Sequence, residues 1–409
     1  MWSFKNIIAV IQLMPSIRRE EPPSAAAAGP SPAPDCQPSD QKQPPWAVRM
    51  ADSVLKHSPD LLLYNDAPKI KWKYDFAMLG MAIDKLGSKE KYESYSSYNS
   101  HFVNYFIEAD GSILMYDIEK YNLDYVNPAK NLITLYERTG EERYEMAIEL
   151  IVSQLEEQPR TNSGGFFHKL RYPYQMWLDG IYMASPFMAQ YASVFDEPKW
   201  ADEAVYQISH IYNKTRDEES GLLYHAWQET REEAWSDPIS GCSPNFWGRA
   251  MGWYAMSLAD TLDYLPEEHK GRDRIIAILN EVVSSLMKVR DEESKLWYQV
   301  LDMGDKEGNY LEASASAMYV YVFAKASKKG YISSEFFDYA MESFDGMLDE
   351  FIKVDDDGMV SMQNIVGGTG LGGDPYRDGS FEYYISEDII ENDAKGVGPF
   401  ILAAMELDR

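Results

Sequence analysis

The chain has 409 residues, 45% of them apolar and 13% aromatic, enough to bury a large core either as two average domains or as one closed one. Its 66 acidic against 38 basic residues leave a net charge of −28, which repels nucleic acid and anionic membrane surfaces. No apolar run reaches the roughly 18–20 residues of a membrane span, and the two cysteines, Cys36 and Cys242, lie too far apart and in contexts too unlike to indicate a disulfide framework or a thiolate metal site.

The N-terminal "MWSFKNIIAVIQLM" offers one lysine and a short apolar core, the outline of a signal peptide, although "PSIRREEPP" follows in place of a small-residue cleavage site. Export or a periplasmic location is the expectation, with the cytoplasm as the alternative. Proline, alanine and serine then dominate to residue 45, which predicts an unstructured linker. Residues 1–45 are accordingly set apart from a folded unit over 46–409.

From there, six segments are apolar on most sides, as a helix buried from all directions must be. They run over 73–87, 127–140, 179–195, 248–266, 312–330 and 396–408. Between them lie polar segments whose apolar residues recur at three and four positions, beginning at "PPWAVRMADSVLKHS" and ending at "SSEFFDYAMESFDGMLDEFIK". These predict helices packed on one face. Six alternations of outer and inner helix form a repeat of helical hairpins, and six hairpins closing on themselves give an all-α, double-ring (α/α)6 barrel. Inner-to-outer links are short, whereas outer-to-inner links are long, at about 108–126, 159–178, 214–247, 290–311 and 353–395. All the long loops therefore emerge where the inner helices start, and the positive dipole ends that converge there favour an anionic group.

Those loops are dense in aromatic and ionisable residues, as in "GGFFHKLRYPYQMWLD", "GLLYHAWQE" and "SPNFWGRAMGW". Aromatic planes with sparse polar groups suit sugar rings, and they equally suit the plugging of a barrel end. Asp179 follows Trp177 and Leu178 at an inner-helix start. It reads either as a helix cap or as a buried acid whose pKa its apolar neighbours raise. Asp124 holds the equivalent place one hairpin earlier, where the two carboxylates would disfavour each other's ionisation. Arg249, in the first turn of the next inner helix, is placed to fork onto a substrate carboxylate or to bridge to a neighbouring loop. His168 and His225 lie in the two aromatic loops. "GGTGLGGD" at 367–374 has no strand–turn–helix frame around it and reads as a turn.

Six motifs, "NPAKNLITLYERTG", "QPRTNSGGFFHK", "YPYQMWLDGIYMASPF", "FWGRAMGW", "EASASAMYVYVFAKA" and "NDAKGVGPFILAAMEL", resemble in order the unsaturated rhamnogalacturonyl hydrolases of glycoside hydrolase family 105. The resemblance implies an (α/α)6 barrel that takes a small oligosaccharide ending in a 4,5-unsaturated uronic acid and removes that sugar by hydrating its enol ether, without metal or organic cofactor. It implies Asp179 as acid/base with Asp124 assisting, and His168, Trp177, His225, Trp247, Arg249 and Trp253 as substrate-binding residues. Galacturonate linked to rhamnose is the expected substrate end; glucuronyl fragments of glycosaminoglycan, gellan or ulvan are the alternative. The chain departs from the pattern at Ala129, Phe167, Gln228 and Asn245, where glycine, tryptophan, an acid and histidine are usual.

Overall fold

A computed structural model describes residues 44–90 and 92–409. The leader and linker expected over 1–45 lie outside the described residues, apart from Pro44 and Pro45. Each of the six inner segments forms a helix: α2 (Tyr74–Glu90), α4 (Ala129–Thr139), α6 (Leu178–Phe195), α8 (Gly248–Thr261), α10 (Ala313–Lys328) and α13 (Ala394–Glu406). The polar segments form α1 (Trp46–His57), α3 (Glu93–Phe106), α5 (Glu142–Glu156), α7 (Pro198–Thr215), α9 (Arg272–Lys288) and α11 (Glu335–Phe351). One further short helix, α12 (Phe381–Ser386), lies in the last long loop.

Burial follows the sequence pattern. In α8 every residue from Gly248 to Thr261 is buried, whereas α9 buries only a stripe that includes Ile275, Ile278, Leu279, Val282 and Leu286. The inner helices close a ring. α13 packs on α2 and α10, α8 packs on α6 and α10, and α4 packs on α6. The ring closes between α4 and α2, where Asn131 donates to the Ala77 carbonyl at 2.9 Å and Arg138 pairs with Asp84 at 2.8 Å. The fold is therefore the all-α double-ring barrel that the alternation predicted.

The end at which the inner helices begin is laced together. The Leu123 N–H donates to the His168 carbonyl, Leu178 to His225, Gly248 to Gln299 and Ala313 to Asn364, each bond joining the start of one inner helix to the loop that leads into the next. Side chains complete the circuit: the Trp72 indole donates to the Tyr125 carbonyl at 2.9 Å, and the Tyr64 hydroxyl to the Asn392 carbonyl at 2.6 Å. Short antiparallel pairs reinforce it, as between β1 (Gln175–Trp177) and β2 (Ala226–Gln228), where Trp177 sits opposite Ala226. Loops that would otherwise be mobile thus hold their side chains on a fixed ring.

Candidate active site

Asp179 lies in the first turn of α6, after the extended residue Trp177, and its side chain caps nothing. The contrast is with Glu312 before α10, which accepts from the backbone N–H groups of Ser314 at 3.2 Å and Ala315 at 2.7 Å. Both acids sit at an inner-helix start; Glu312 spends its oxygens on the helix, and Asp179 does not. Asp179 Oδ2 instead lies 3.2 Å from His225 Nε2, within ion-pair reach but without a well-aligned hydrogen bond on either atom. His225 is fully buried and held from its other side, where Nδ1 meets the Tyr384 hydroxyl at 2.9 Å.

The sequence led to the expectation that burial raises the Asp179 pKa, and the structure corrects it. Burial does push the carboxyl up, but His225, His168 and Arg249 together outweigh it and leave the group below its ordinary value. His168 is itself driven well below the usual histidine range, first by burial and then by Lys169. Asp124, in a single 3₁₀ turn over Leu123–Tyr125, binds the Lys169 ammonium at 2.5 Å and lies 3.7 Å from His168 Nε2. A cation and an imidazole face it.

Aromatic rings form the walls. Trp177 stacks on His168 with centroids 4.7 Å apart and on Tyr172 at 4.9 Å, and its indole N–H is fixed by Gln175 at 3.0 Å. Gly180 permits this approach, since a Cβ there would come within 2.9 Å of His168 Nδ1. Trp247 lies against His225 at 4.7 Å and donates to Gln299 at 3.1 Å. Trp253, fully buried one turn into α8, stacks on Tyr182 at 5.0 Å and meets the edge of Tyr74 at 5.8 Å. Several buried polar atoms have no protein partner: Asp179 Oδ2, His168 Nδ1, His225 Nε2, Arg249 Nε and Trp253 Nε1. Buried polar groups are almost always paired, so a concentration of exceptions among these residues points to a polar ligand.

The family model for glycosyl hydrolase family 88 matches residues 46–409. The chain belongs to that family. A glycoside hydrolase of family 105 from C. acetobutylicum ATCC 824 superposes with a TM-score of 0.86 at 42% identity, over 89% of this chain and 99% of that one. The six motifs therefore placed the chain correctly, and it is a glycosidase of the unsaturated glycuronyl and rhamnogalacturonyl hydrolase family. Protein Atu3128 of Agrobacterium fabrum is 35% identical over 233 residues, 55% of this chain and 97% of that protein. The unsaturated rhamnogalacturonyl hydrolase YesR of Bacillus subtilis is 29% identical over 242 residues, 58% of this chain and 64% of its own.

Into this cluster the structure gathers Asp179, Asp124, His168, Trp177, His225 and Trp247, with Trp253 buried one turn into α8. Of the two readings of Arg249, substrate fork or bridge to a neighbouring loop, the structure shows contacts with the loop. Two of its guanidinium nitrogens are taken by backbone carbonyls, one by Val366 and one by Gly367 at 2.6 Å. Its charge reaches the site, but its fork is spent on the last long loop. Tyr74, Lys169 and Tyr384 join the site without having been expected there. Tyr74 opens α2, and its hydroxyl is raised well above the usual tyrosine range, first by burial and then by Asp75 and Asp124. Lys169 was legible as the residue after His168 in "FFHK". Nothing local marked Tyr384, which reaches His225 across 159 positions of sequence.

Proposed function

We propose that the protein removes a 4,5-unsaturated galacturonate from rhamnose at the end of lyase-generated oligosaccharides. The observation that supports this best is a buried carboxylate, Asp179, that caps no helix and stands beside His225 among aromatic walls and unpartnered polar atoms. Asp179 delivers a proton to C4 of the enol ether, and water adds its hydroxyl to C5 as its remaining proton passes to the carboxylate. The C5 hemiketal then opens by breaking its bond to the ring oxygen, and the hemiacetal left at C1 expels the neighbouring sugar.

In the free protein Asp179 is held below its ordinary pKa, so a proton donor must be made on binding. The substrate supplies the means. Its own carboxylate, drawn in by the inner-helix N-termini and the charge of Arg249, is a like charge that disfavours ionisation of Asp179. Asp124, neutralised by Lys169, orients His168 and the water. The name of YesR, an unsaturated rhamnogalacturonyl hydrolase, supports galacturonate over glucuronate.

The test follows the ultraviolet absorbance of the conjugated enol ether on a panel of lyase products. Loss of signal on rhamnogalacturonan-derived material is the expected result. Loss confined to glycosaminoglycan, gellan or ulvan fragments would overturn the substrate assignment.

A further inference from the structure

The loop that carries His168 continues into a second feature that the reaction itself does not use. An open cleft of about 540 Å³ lies between the segments 119–125 and 169–171, lined by Glu119, Lys120, Asn122, Tyr125, Lys169 and Arg171 among others. Its walls are fixed to each other, because the Leu170 N–H donates to the Lys120 carbonyl at 3.3 Å. Lys169 belongs to both places, since its ammonium sits on Asp124 at 2.5 Å. The cleft is thus a continuation of the site toward solvent.

Its lining is richer in cations than the rest of the molecule. In a chain of net charge −28, three cations and one carboxylate line this cleft. Arg171 is exposed and has no ion-pair partner among the described residues; it rests on Tyr172, donating to the hydroxyl at 2.7 Å. Lys120 pairs with Asp117 at 3.4 Å, but both side chains are about half exposed, and such a pair contributes little in water. An arginine without a carboxylate, in a protein with 66 of them, is a group kept available for an external anion. Tyr125 adds an aromatic face suited to a sugar ring.

We infer that this cleft is a subsite for a second anionic group on the leaving-group side of the scissile bond, held by Lys120 and Arg171. The inference rests on the proposed function, in which the unsaturated uronate fills the buried pocket and the rest of the chain runs outward. The anion is either the carboxylate of the next uronate or a sulfate ester on the first sugar beyond the bond. The protein is therefore expected to prefer charged oligosaccharides to the neutral-ended disaccharide.

The test compares the unsaturated galacturonyl-rhamnose disaccharide, its tetrasaccharide with a second galacturonate, and a disaccharide sulfated on rhamnose, for the full-length protein and for Lys120→Gln/Arg171→Gln. At low salt the double variant is expected to raise KM for a substrate with a second anion by about tenfold, from two exposed ion pairs worth up to about fivefold each, while the disaccharide whose leaving sugar is uncharged keeps its KM. The difference is expected to vanish near 0.5 M salt, where the Debye length is about 4 Å. An effect with the tetrasaccharide alone assigns the anion to the next uronate, and an effect with the sulfated disaccharide assigns it to the ester. Equal KM changes for all three substrates, or none for any, would overturn the inference while leaving the functional reading intact. Absence of turnover with every substrate would overturn both.

Discussion

His225 Nε2 lies 3.2 Å from Asp179 Oδ2, and its other nitrogen is held by the Tyr384 hydroxyl at 2.9 Å. This relationship opposes burial, the largest single influence on the carboxyl, and it is the largest of those that lower the Asp179 pKa. Removing the imidazole leaves burial less opposed and must raise that pKa. In His225→Gln the alkaline limb of kcat, which follows the protonated acid, is expected to move to higher pH. A pH–rate profile checks it, and an unmoved or lowered limb would sink the assignment of Asp179 as proton donor.

Asp179→Asn isolates the acid from the architecture. The amide keeps the size of the side chain, and no helix depends on it, since Asp179 caps none. The far-ultraviolet spectrum and oligosaccharide binding are expected to stay as they are while turnover falls by about 10² to 10⁴-fold, the usual scale for loss of a general acid or base. Turnover within a few-fold of the parent would refute the mechanism.

Arg249 acts on a different quantity. Its guanidinium is 2% exposed and holds the carbonyls of Val366 and Gly367, next to strand Ile365–Val366. Arg249→Ala would leave both carbonyls short of charge-assisted donors in a buried place, a loss of about 2–4 kcal/mol. A clearly lower melting temperature is the expected result. Arg249→Lys should recover only part of it, because one ammonium cannot reproduce the planar fork. An unchanged melting temperature with a raised KM would return Arg249 to direct substrate binding.

The barrel was legible because its signal repeats: six helices apolar all round alternate with six that are apolar on one face, and no tertiary contact is needed to see that. The positions of Asp179, Asp124, His168 and His225 were legible for the same reason, as they lie at or before inner-helix starts. Their protonation was not. It depends on which groups the lacing of loops brings together, and the sequence separates Asp179 from His225 by 46 positions and His225 from Tyr384 by 159. A fork such as Arg249 fails to declare its target for the same reason. Its carbonyl partners carry no side-chain signature at all.

At the far end of the inner helices, Lys325 of α10 meets Asp260 of α8 at 2.7 Å and Asp263 at 2.6 Å, with the Tyr321 hydroxyl also donating to Asp260. Burial raises the Asp260 pKa, but Lys325, with Lys85 and Lys130, brings it down to about 2. A carboxyl whose folded pKa lies below its unfolded one stabilises the fold above the unfolded value, near 4, and loses that contribution as pH falls toward 2. Lys325→Met would strand a buried carboxylate at a cost of about 3–5 kcal/mol and remove most of the acid-dependent loss. Chemical denaturation at pH 7 and pH 3 measures both effects, and a variant as stable as the parent at pH 7 would contradict them.

Lys130, in the first turn of α4, presents the opposite case. Its ammonium has no hydrogen-bond partner and lies 4.1 Å from the centre of the Tyr182 ring, the ring on which Trp253 also stacks. Burial is the main cause that lowers its pKa to about 7, with Asp260 opposing. Between pH 7 and the unfolded value near 10.5 the unfolded chain holds more protons, so this group's contribution to stability grows as pH rises through that window and is absent below it. Lys130→Met fills the same space without a charge to bury. Its melting temperature is expected to exceed that of the parent by about 1–3 °C at pH 6, on the usual conversion of one or two kcal/mol for a domain of this size, and by less at pH 9. Calorimetry at the two pH values decides it. A variant that melts lower than the parent at pH 6 would mean that the contact of the ammonium with Tyr182 outweighs the cost of burying it, and that the floor beneath Trp253 is held by that cation.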